Sequence, residues 1–303
     1  MKKLVGTWLA LLMLCTIGLQ VAAGEEGDDS VVSSVEILQD EQEDVQPAET
    51  AVGGNASARW TYGVSMHALQ SEYIRLVNRD HLLDADYEPG DLEKMNVKRA
   101  TSSAVYMRRV AANALDEMFA AAKEDGYTLY LKSGYRAYGA QKTMYSNRLE
   151  GNKGNDDGVV APPGASEHQM GLSCDIVNAQ YSSGRMNAGF AETAEGKWLK
   201  ENCASHGFVM SYPEGKEEIT GFIFEPWHFR YVGTEVANYV QRTDLTHVEF
   251  NEEWQREVAD FESRGGNIAQ QISYEQMRSN TGPEAFILDV VGADGDSEIS
   301  IAF

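Results

Sequence analysis

The chain has 303 residues, of which 43% are hydrophobic and 10% are aromatic. This length and composition allow one large domain or two small ones, with a sizeable core. The formal net charge of -22 at pH 7 speaks against nucleic-acid binding, because phosphate contacts need clustered Lys and Arg side chains. We interpret the acidity as a determinant of solubility, and we expect a monomer.

The N-terminus is typical of an export signal. Two lysines form a basic start, an apolar stretch spans about residues 4–19, and Val-Ala-Ala at 21–23 fits a small-residue cleavage site. An uncleaved membrane anchor is the alternative, because about 20 apolar residues span a bilayer. Residues 1–23 are therefore predicted to be a signal peptide or an anchor. Both place the rest of the chain outside the cytoplasm.

Residues 24–58 carry ten acidic residues and no Lys or Arg, and no helical or strand period persists in them. Such a segment repels itself and has too little apolar surface to form a core. We therefore predict an acidic, disordered spacer that holds the following domain away from the membrane.

Hydrophobic periodicity and turn residues predict alternating helices and short strands from residue 59 onward. The first long helix is expected at 102–125, with a serine as its N-cap and Gly126 at its end. A loop rich in Gly, Asp and Pro is expected at 152–164. The other predicted helices are 138–149, 192–206, 233–241 and 252–261, and the predicted strands are 127–133, 174–177, 208–212, 221–224 and 228–232.

These strands are too short and too polar for a doubly wound parallel sheet. We predict an α+β fold in which helices pack on one face of a small, mostly antiparallel sheet. Residues 59–245 are assigned to this domain. Residues 246–303 are treated as a C-terminal extension of unknown role, whose end forms either a hairpin or a tail.

Two of the three cysteines, Cys174 and Cys203, lie in the predicted domain. A disulfide between them is one prediction, because an exported protein meets an oxidising compartment. Two small, buried free thiols are the alternative.

Two motifs supply a set of candidate metal ligands. SEHQMGLSCD contains His168 and Asp175, and EPWHFRYVG contains His228. A catalytic zinc needs three protein ligands and an open fourth position for water. These three residues lie on a loop and at the ends of two predicted strands, so they can meet at one edge of a sheet. Cys174 is the alternative fourth ligand, although its side chain is expected to point away from the face of Asp175.

Glu225 and Arg136 are candidates for the catalytic groups. Glu225 lies three residues before His228, and Pro226 interrupts the strand geometry that would send the two side chains to opposite faces. Glu225 can then act as a general base and next as an acid toward the leaving amine. Arg136, in SGYRAYGAQ, follows a predicted strand, where its guanidinium can hold a substrate carboxylate or an oxyanion.

Together, SGYRAYGAQ, SEHQMGLSCD and EPWHFRYVG resemble motifs of the VanY-like D-alanyl-D-alanine carboxypeptidases. These are zinc metallopeptidases that share a fold with hedgehog and lysostaphin. The family pattern is S-x-H-x-x-G-x-x-x-D followed by E-x-x-H, and it is matched here by Ser166, His168, Gly171, Asp175, Glu225 and His228. The resemblance covers about residues 73–240.

The resemblance implies a role for each motif residue, with Glu225 as the base. It implies a Zn²⁺ site with three protein ligands, which are His168, Asp175 and His228. It implies that three side chains contact the terminal residue of the substrate or the developing oxyanion, and these are Arg136, Gln141 and Ser166.

The implied function of residues 59–245 is removal of the C-terminal D-alanine from peptidoglycan stem peptides by an exported zinc carboxypeptidase. The alternatives are an L,D-carboxypeptidase of the same family, an endopeptidase that cuts cross-links, and a non-catalytic wall-binding module on the same fold. Glu225 speaks against the binding module, because binding alone needs no general base.

Overall fold

The computed structural model describes residues 58–281 of the chain. The predicted signal or anchor at 1–23 and the predicted hairpin or tail at the C-terminus lie outside these residues. The predicted spacer at 24–58 also lies outside them, except for its last residue. Within the described range, no helix is long and apolar enough to cross a bilayer.

Helices and short strands alternate along this part of the chain. The α-helices are α1 (Met66–Leu69), α2 (Arg109–Glu124), α3 (Tyr138–Gly151), α4 (Ala194–Asn202), α5 (Glu217–Thr220), α6 (Thr234–Thr243), α7 (His247–Ser263) and α8 (Ile268–Thr281). The strands are β1 (Leu92–Lys94), β2 (Tyr106–Arg108), β3 (Tyr130–Ser133), β4 (Ser173–Val177), β5 (Phe208–Met210) and β6 (His228–Tyr231). Short 3₁₀ turns occupy Glu72–Ile74, Glu167–Met170, Ala188–Glu192 and Cys203–His206.

Four of these strands form one sheet in the order β3-β4-β6-β5, and β1 pairs with β2. Each of these strand pairs is antiparallel. The predicted α+β fold with a small, mostly antiparallel sheet is therefore confirmed.

The register of the central strands places a polar pair beside an apolar pair. Asp175 in β4 lies opposite His228 in β6 and, on its other side, opposite Ser133 in β3. The next pair along β4 and β6 is Cys174 with Phe229, and both of these side chains lie in the hydrophobic core. Because side chains alternate along a strand, Asp175 and His228 project from the opposite face.

Helix α2 covers the apolar face of the sheet. Leu115 and Met118 of α2 are fully buried, and they share one hydrophobic cluster with Leu131, Ile176 and Phe229 of the sheet. Burial of each such side chain contributes roughly 1.5–3 kcal/mol. This packing leaves the other face of the sheet to the polar side chains of the site.

A second hydrophobic cluster joins the start of the domain to its C-terminal helices. Met66 of α1 and Val236 of α6 pack in it with Phe250 and Phe261 of α7. The described part of the predicted C-terminal extension therefore shares a core with the domain.

Helix α7 is longer than the predicted helix at 252–261. It begins at His247, because Thr246 and Glu249 form a capping box in which each side chain accepts a hydrogen bond from the other residue's backbone N–H. This reciprocal cap satisfies two otherwise unpaired N–H groups and extends the helix toward its N-terminus.

The predicted helix at 102–125 is wrong in its first part, since the helix begins at Arg109. Tyr106–Arg108 forms strand β2, which pairs with β1. Val105 and Met107 are buried and fit a strand period as well as a helical one. Pairing with a strand distant in sequence decides between the two, and periodicity does not carry that information.

The predicted strand at 221–224 is also wrong. Gly221 adopts a left-handed conformation with φ of 75° and ends α5. The chain then turns toward Pro226, which has no N–H to donate to a strand ladder. Strands β3 and β5 exist but are shorter than predicted, because ladder pairing covers only part of each segment.

Cys174 and Cys203 are free thiols that are buried in the same hydrophobic cluster. Burial raises the pKa of both thiols, that of Cys203 to about 12. The structure therefore corresponds to the alternative of two buried thiols and not to a disulfide.

Candidate metal centre and substrate pocket

The structure brings His168, Asp175 and His228 together. One donor atom of each residue lies within 4.8 Å of the donor atoms of the other two, and all three residues are buried. Asp175 and His228 are opposite each other on adjacent antiparallel strands, so their side chains are neighbours on one face. His168 lies in the 3₁₀ turn Glu167–Met170 that leads into β4.

Gly171 turns the chain from His168 into β4. Its φ of 66° lies in the left-handed region, which residues with a Cβ adopt at a cost. A Cβ here would lie 2.9 Å from Cδ2 of Leu92 and 3.1 Å from Cγ of Arg108. The motif glycine therefore serves both the turn and its close packing against β1 and β2.

The distances among the three side chains fit a tetrahedral zinc site. Oδ1 of Asp175 lies 3.5 Å from Nε2 of His168 and 3.3 Å from Nδ1 of His228. Donor atoms at about 2.0–2.2 Å from a tetrahedral ion are about 3.3–3.5 Å from one another. The alternative fourth ligand, Cys174, lies in the hydrophobic core and does not join this cluster.

The ring of His168 is held by the loop that follows β3. Its Nδ1 lies 2.8 Å from the carbonyl oxygen of Gly134. Donation of the Nδ1 proton to that carbonyl leaves Nε2 unprotonated on the side of Asp175. The backbone N–H of Arg136 donates in turn to the carbonyl oxygen of His168. These two hydrogen bonds join the loop after β3 to the turn that contains His168, and they place Arg136 next to the site.

The electrostatics of the cluster suit a cation. Burial opposes charge on His228, yet hydrogen bonds with Asp175 and Glu167 raise its pKa to about 10. Burial also opposes charge on Asp175, but attraction to His168 and hydrogen bonds with both imidazoles hold its pKa well below the usual range. A divalent cation therefore meets an ionised carboxylate and displaces a proton from His228 on binding.

Glu225 lies beside the cluster, in the turn before β6. Its N–H donates to the carbonyl oxygen of Tyr212, and its own carbonyl accepts from the N–H of His228. Its side chain is buried and lines the same pocket as the candidate ligands. Burial raises the pKa of the carboxyl to about 8, against the lowering effect of His228. A buried carboxyl that titrates near neutral pH suits proton transfer.

Arg136 is held in a fixed orientation at the pocket. Its Nη1 donates to Oε1 of Gln141 at 2.8 Å, and its Nη2 donates to Oγ of Ser133 at 3.1 Å. Nε2 of Gln141 donates to the carbonyl oxygen of Ala161 at 2.6 Å. The amide of Gln141 is thus engaged at both ends and orients the arginine. Ser166 is buried and lines the same pocket.

All of the predicted site residues line a single pocket of about 240 Å³. Pockets for drug-sized ligands have volumes of about 300–1,000 Å³, so this pocket fits a smaller group. Its wall is largely apolar and includes Met144, Val159, Val160, Met186, Phe222 and Trp227. The space suits the end of a chain with small side chains and a polar terminus.

Sequence reasoning missed a buried polar cluster beneath the ligands, formed by Glu167, Ser173, Ser211, Arg230 and His247. The sequence indicates part of this cluster. Ser173 and Arg230 each lie two residues from a candidate ligand in the same strand, so their side chains are expected on the same face of the sheet. Ser211 and His247 had no such signal, since they reach the cluster from distant parts of the chain.

Comparison with known proteins gives the family. A sequence profile described as "VanY: D-alanyl-D-alanine carboxypeptidase" matches residues 104–234. The putative carboxypeptidase YodJ of Bacillus subtilis (strain 168) is 42% identical over 184 residues, which are 59% of this chain and 67% of that protein. The chain belongs to the VanY family. The predicted resemblance is therefore confirmed.

Other similar proteins agree with this membership. A D-alanyl-D-alanine carboxypeptidase of Enterococcus faecium is 32% identical over 173 residues, which are 57% of this chain and 48% of that protein. The structure of the LdcB LD-carboxypeptidase is 42% identical with a TM-score of 0.55, covering 59% of this chain and 84% of that chain. The structure of VanYB in complex with D-alanine-D-alanine has a sequence identity of 32% and a TM-score of 0.50. The match covers 59% of this chain and 97% of that chain.

Proposed function

We propose that this protein is a zinc-dependent D-alanyl-D-alanine carboxypeptidase, which removes the C-terminal D-alanine from peptidoglycan stem peptides. The observation that carries the proposal is the convergence of His168, Asp175 and His228 beside Glu225 in one small pocket. VanY-family membership and the VanYB complex with D-alanine-D-alanine support the choice of substrate.

The chain's own residues divide the reaction among them. His168, Asp175 and His228 would hold a zinc ion, whose positive charge would make water a nucleophile near neutral pH. Glu225 accepts the proton of the water that attacks the last peptide carbonyl, and it returns that proton to the leaving amine of D-alanine. Arg136, oriented by Gln141 and Ser133, stabilises the oxyanion that develops on the carbonyl.

The size of the pocket favours an exopeptidase. At about 240 Å³ it accommodates the terminal residues of a stem peptide, whose side chains are methyl groups. An endopeptidase needs a groove that continues past the scissile bond on both sides. A non-catalytic wall-binding module needs no buried carboxyl of raised pKa beside its ligands, and Glu225 is such a group.

An L,D-carboxypeptidase is the second candidate, because the LdcB LD-carboxypeptidase is 42% identical to this chain. The two activities differ in the residue before the terminal D-alanine. Incubation with defined pentapeptides and tetrapeptides, followed by mass spectrometry, separates them. We expect release of D-alanine from the pentapeptide. Release from the tetrapeptide alone would reject the D,D assignment in favour of the L,D one, and release from neither would leave a binding module.

We further propose that the protein acts as a monomer outside the cytoplasm, either secreted or tethered through residues 1–23. The basic start and apolar stretch of the N-terminus support export. Fractionation of cells that express the full chain tests this. The protein is expected in the medium if the signal is cleaved, or in the membrane fraction if it is retained. Recovery in the cytoplasm would contradict export.

A further inference from the structure

Glu167 is a buried carboxylate next to His168 in the motif, and it does not line the substrate pocket. It is 3% exposed, and its surroundings are polar. Its Oε2 lies 2.9 Å from Nε2 of His228. The same oxygen accepts hydrogen bonds from Oγ of Ser211 at 2.7 Å and from Oγ of Ser173 at 3.3 Å.

This contact bears on which ring nitrogen of His228 carries the proton when the imidazole is neutral. A neutral imidazole has one N–H and one bare nitrogen, and a carboxylate only accepts hydrogen bonds. Once a metal ion has displaced one proton from His228, the remaining proton is on Nε2 and is donated to Glu167, and Nδ1, which lies 3.3 Å from Oδ1 of Asp175, is left to bind the ion. His168 has the opposite arrangement, in which Nδ1 is bound by the carbonyl of Gly134 and Nε2 faces Asp175.

Glu167 is itself held from a second side by Arg230, which is fully buried. Nη1 of Arg230 donates to Oε1 of Glu167 at 3.3 Å. Nη2 of Arg230 donates to the backbone oxygens of Tyr73 and Arg75. Nδ1 of His247, in α7, lies 4.0 Å from Oε1. Both carboxylate oxygens thus have partners, and these partners fix the orientation of the carboxylate.

Stability alone does not explain why a charge is retained here. Desolvation of two buried charges offsets their attraction, so apolar residues of similar volume often serve a core equally well. A carboxylate on the outer nitrogen of a ligand imidazole has a different effect. It fixes the tautomer and the ring orientation, and it makes the inner nitrogen a stronger donor.

We propose that Glu167 is the positioning residue of the metal centre, because it accepts the Nε2 proton of His228 and thereby presents Nδ1 to the metal. This inference rests on the proposed function, in which His228 is a metal ligand. Glu167 has no contact with the substrate in this account, and it takes no part in proton transfer to the leaving group.

Glu167→Gln tests the proposal, because it keeps the volume and removes the charged acceptor. We expect the variant to bind Zn²⁺ about 10–100-fold more weakly, as measured by competition with a chromophoric chelator. We also expect a shift in the visible absorption bands of the Co²⁺-saturated protein. Zinc affinity and cobalt bands equal to those of the wild type would overturn the proposal.

Glu253→Gln is the matched control. Glu253 accepts hydrogen bonds from the hydroxyls of Tyr62 and Tyr239 and lies outside the ligand cluster. The Glu253→Gln variant is expected to have the zinc affinity and the cobalt spectrum of the wild type. A purely structural role of Glu167 lowers the free energy of unfolding without moving the cobalt bands, so that result would also count against the proposal.

A measurement on the wild-type chain decides the matter even if the Glu167 variant does not fold. Long-range ¹H–¹⁵N correlation spectra of the zinc-loaded protein report which nitrogen of each histidine carries the proton. We expect a protonated Nε2 in His228 and a protonated Nδ1 in His168. A protonated Nδ1 in His228 would contradict the proposed role of Glu167.

The two proposals fail in different ways. A wild-type chain that binds no Zn²⁺ overturns the proposed function and this inference together. Normal zinc binding and D-alanine release by the wild type, with an unaffected Glu167→Gln variant, overturns this inference alone.

Discussion

At the scale of single residues, the pocket separates metal binding from proton transfer. His168, Asp175 and His228 supply the donor atoms of the candidate metal centre. Glu225 is not one of these donors, but its buried carboxyl lines the same pocket. The two roles can therefore be tested by different substitutions.

Glu225→Ala is expected to keep bound zinc and to lower kcat by about 10²–10⁴-fold, which is the usual contribution of a general acid–base group. Metal analysis and D-alanine release on the same sample measure both effects. The control is Glu218→Ala, which changes an exposed glutamate in α5 and is expected to retain activity. Undiminished hydrolysis by the Glu225 variant would mean that another group moves the proton.

Gly171→Ala tests the turn that delivers His168. The left-handed φ costs about 1–2 kcal/mol for a residue with a Cβ, and the contact with Leu92 adds to this. The control is Gly151→Ala at the end of α3, where an added Cβ meets nothing within 4 Å. Urea unfolding should show a loss of stability for Gly171→Ala and none for Gly151→Ala. Equal stabilities would contradict this account of the motif glycine.

At the scale of elements, the loop at 152–164 borders the pocket and is held in place by an ion pair and a hydrogen bond at Asp156. Asp156 accepts from Nη1 of Arg79 at 2.6 Å and from the hydroxyl of Tyr145 at 3.0 Å. The hydrogen bond from Arg79 is the largest cause that lowers the pKa of Asp156, to about 2. This loop carries Val159 and Val160 of the pocket wall.

The depressed pKa of Asp156 gives stability with a defined pH dependence. Because the folded state binds the proton less tightly than the unfolded state, this stability is fully present above about pH 4 and is lost as the pH falls toward 2. Asp156→Asn removes it at every pH. We expect urea unfolding to show a difference between wild type and variant that shrinks between pH 5 and pH 3. A constant difference over that interval would contradict the assignment.

The elements also show where sequence reasoning succeeds and where it stops. The candidate ligands were found because the spacing in SEHQMGLSCD and EPWHFRYVG carries the chemistry, and the register of β4 with β6 then places Asp175 opposite His228. The start of α2 was missed because Tyr106–Arg108 pairs with β1, and an alternation over so few residues does not distinguish a strand from the first turn of a helix. The role of Glu167 was also missed, because it depends on contacts with Ser211 and Arg230, which are distant from it in the sequence.

At the scale of the whole molecule, the described domain is completed by helices beyond the 104–234 match. Phe250 and Phe261 of α7 are buried against Met66 and Val236. His247, at the start of α7, lies 3.0 Å from the carbonyl oxygen of Ile74. Helix α7 therefore contacts the same short segment, residues 73–75, whose carbonyl oxygens accept hydrogen bonds from Arg230.

Phe250→Ala tests this contribution to the folded domain. Truncation of a fully buried phenylalanine costs about 3–5 kcal/mol, so we expect a clear loss in the free energy of unfolding. Arg256→Ala changes an exposed residue of the same helix and should alter stability by less than about 0.5 kcal/mol. Equal stabilities in urea unfolding would show that α7 is dispensable for the fold.

Titration of the chelator-treated protein with Zn²⁺, while D-alanine release from a stem pentapeptide is followed, tests the central claim most directly. With His168, Asp175 and His228 as one catalytic site, activity should rise in proportion to added zinc and saturate at one equivalent per chain. Full D-alanine release without bound metal, or zinc saturation without any release, would contradict the account.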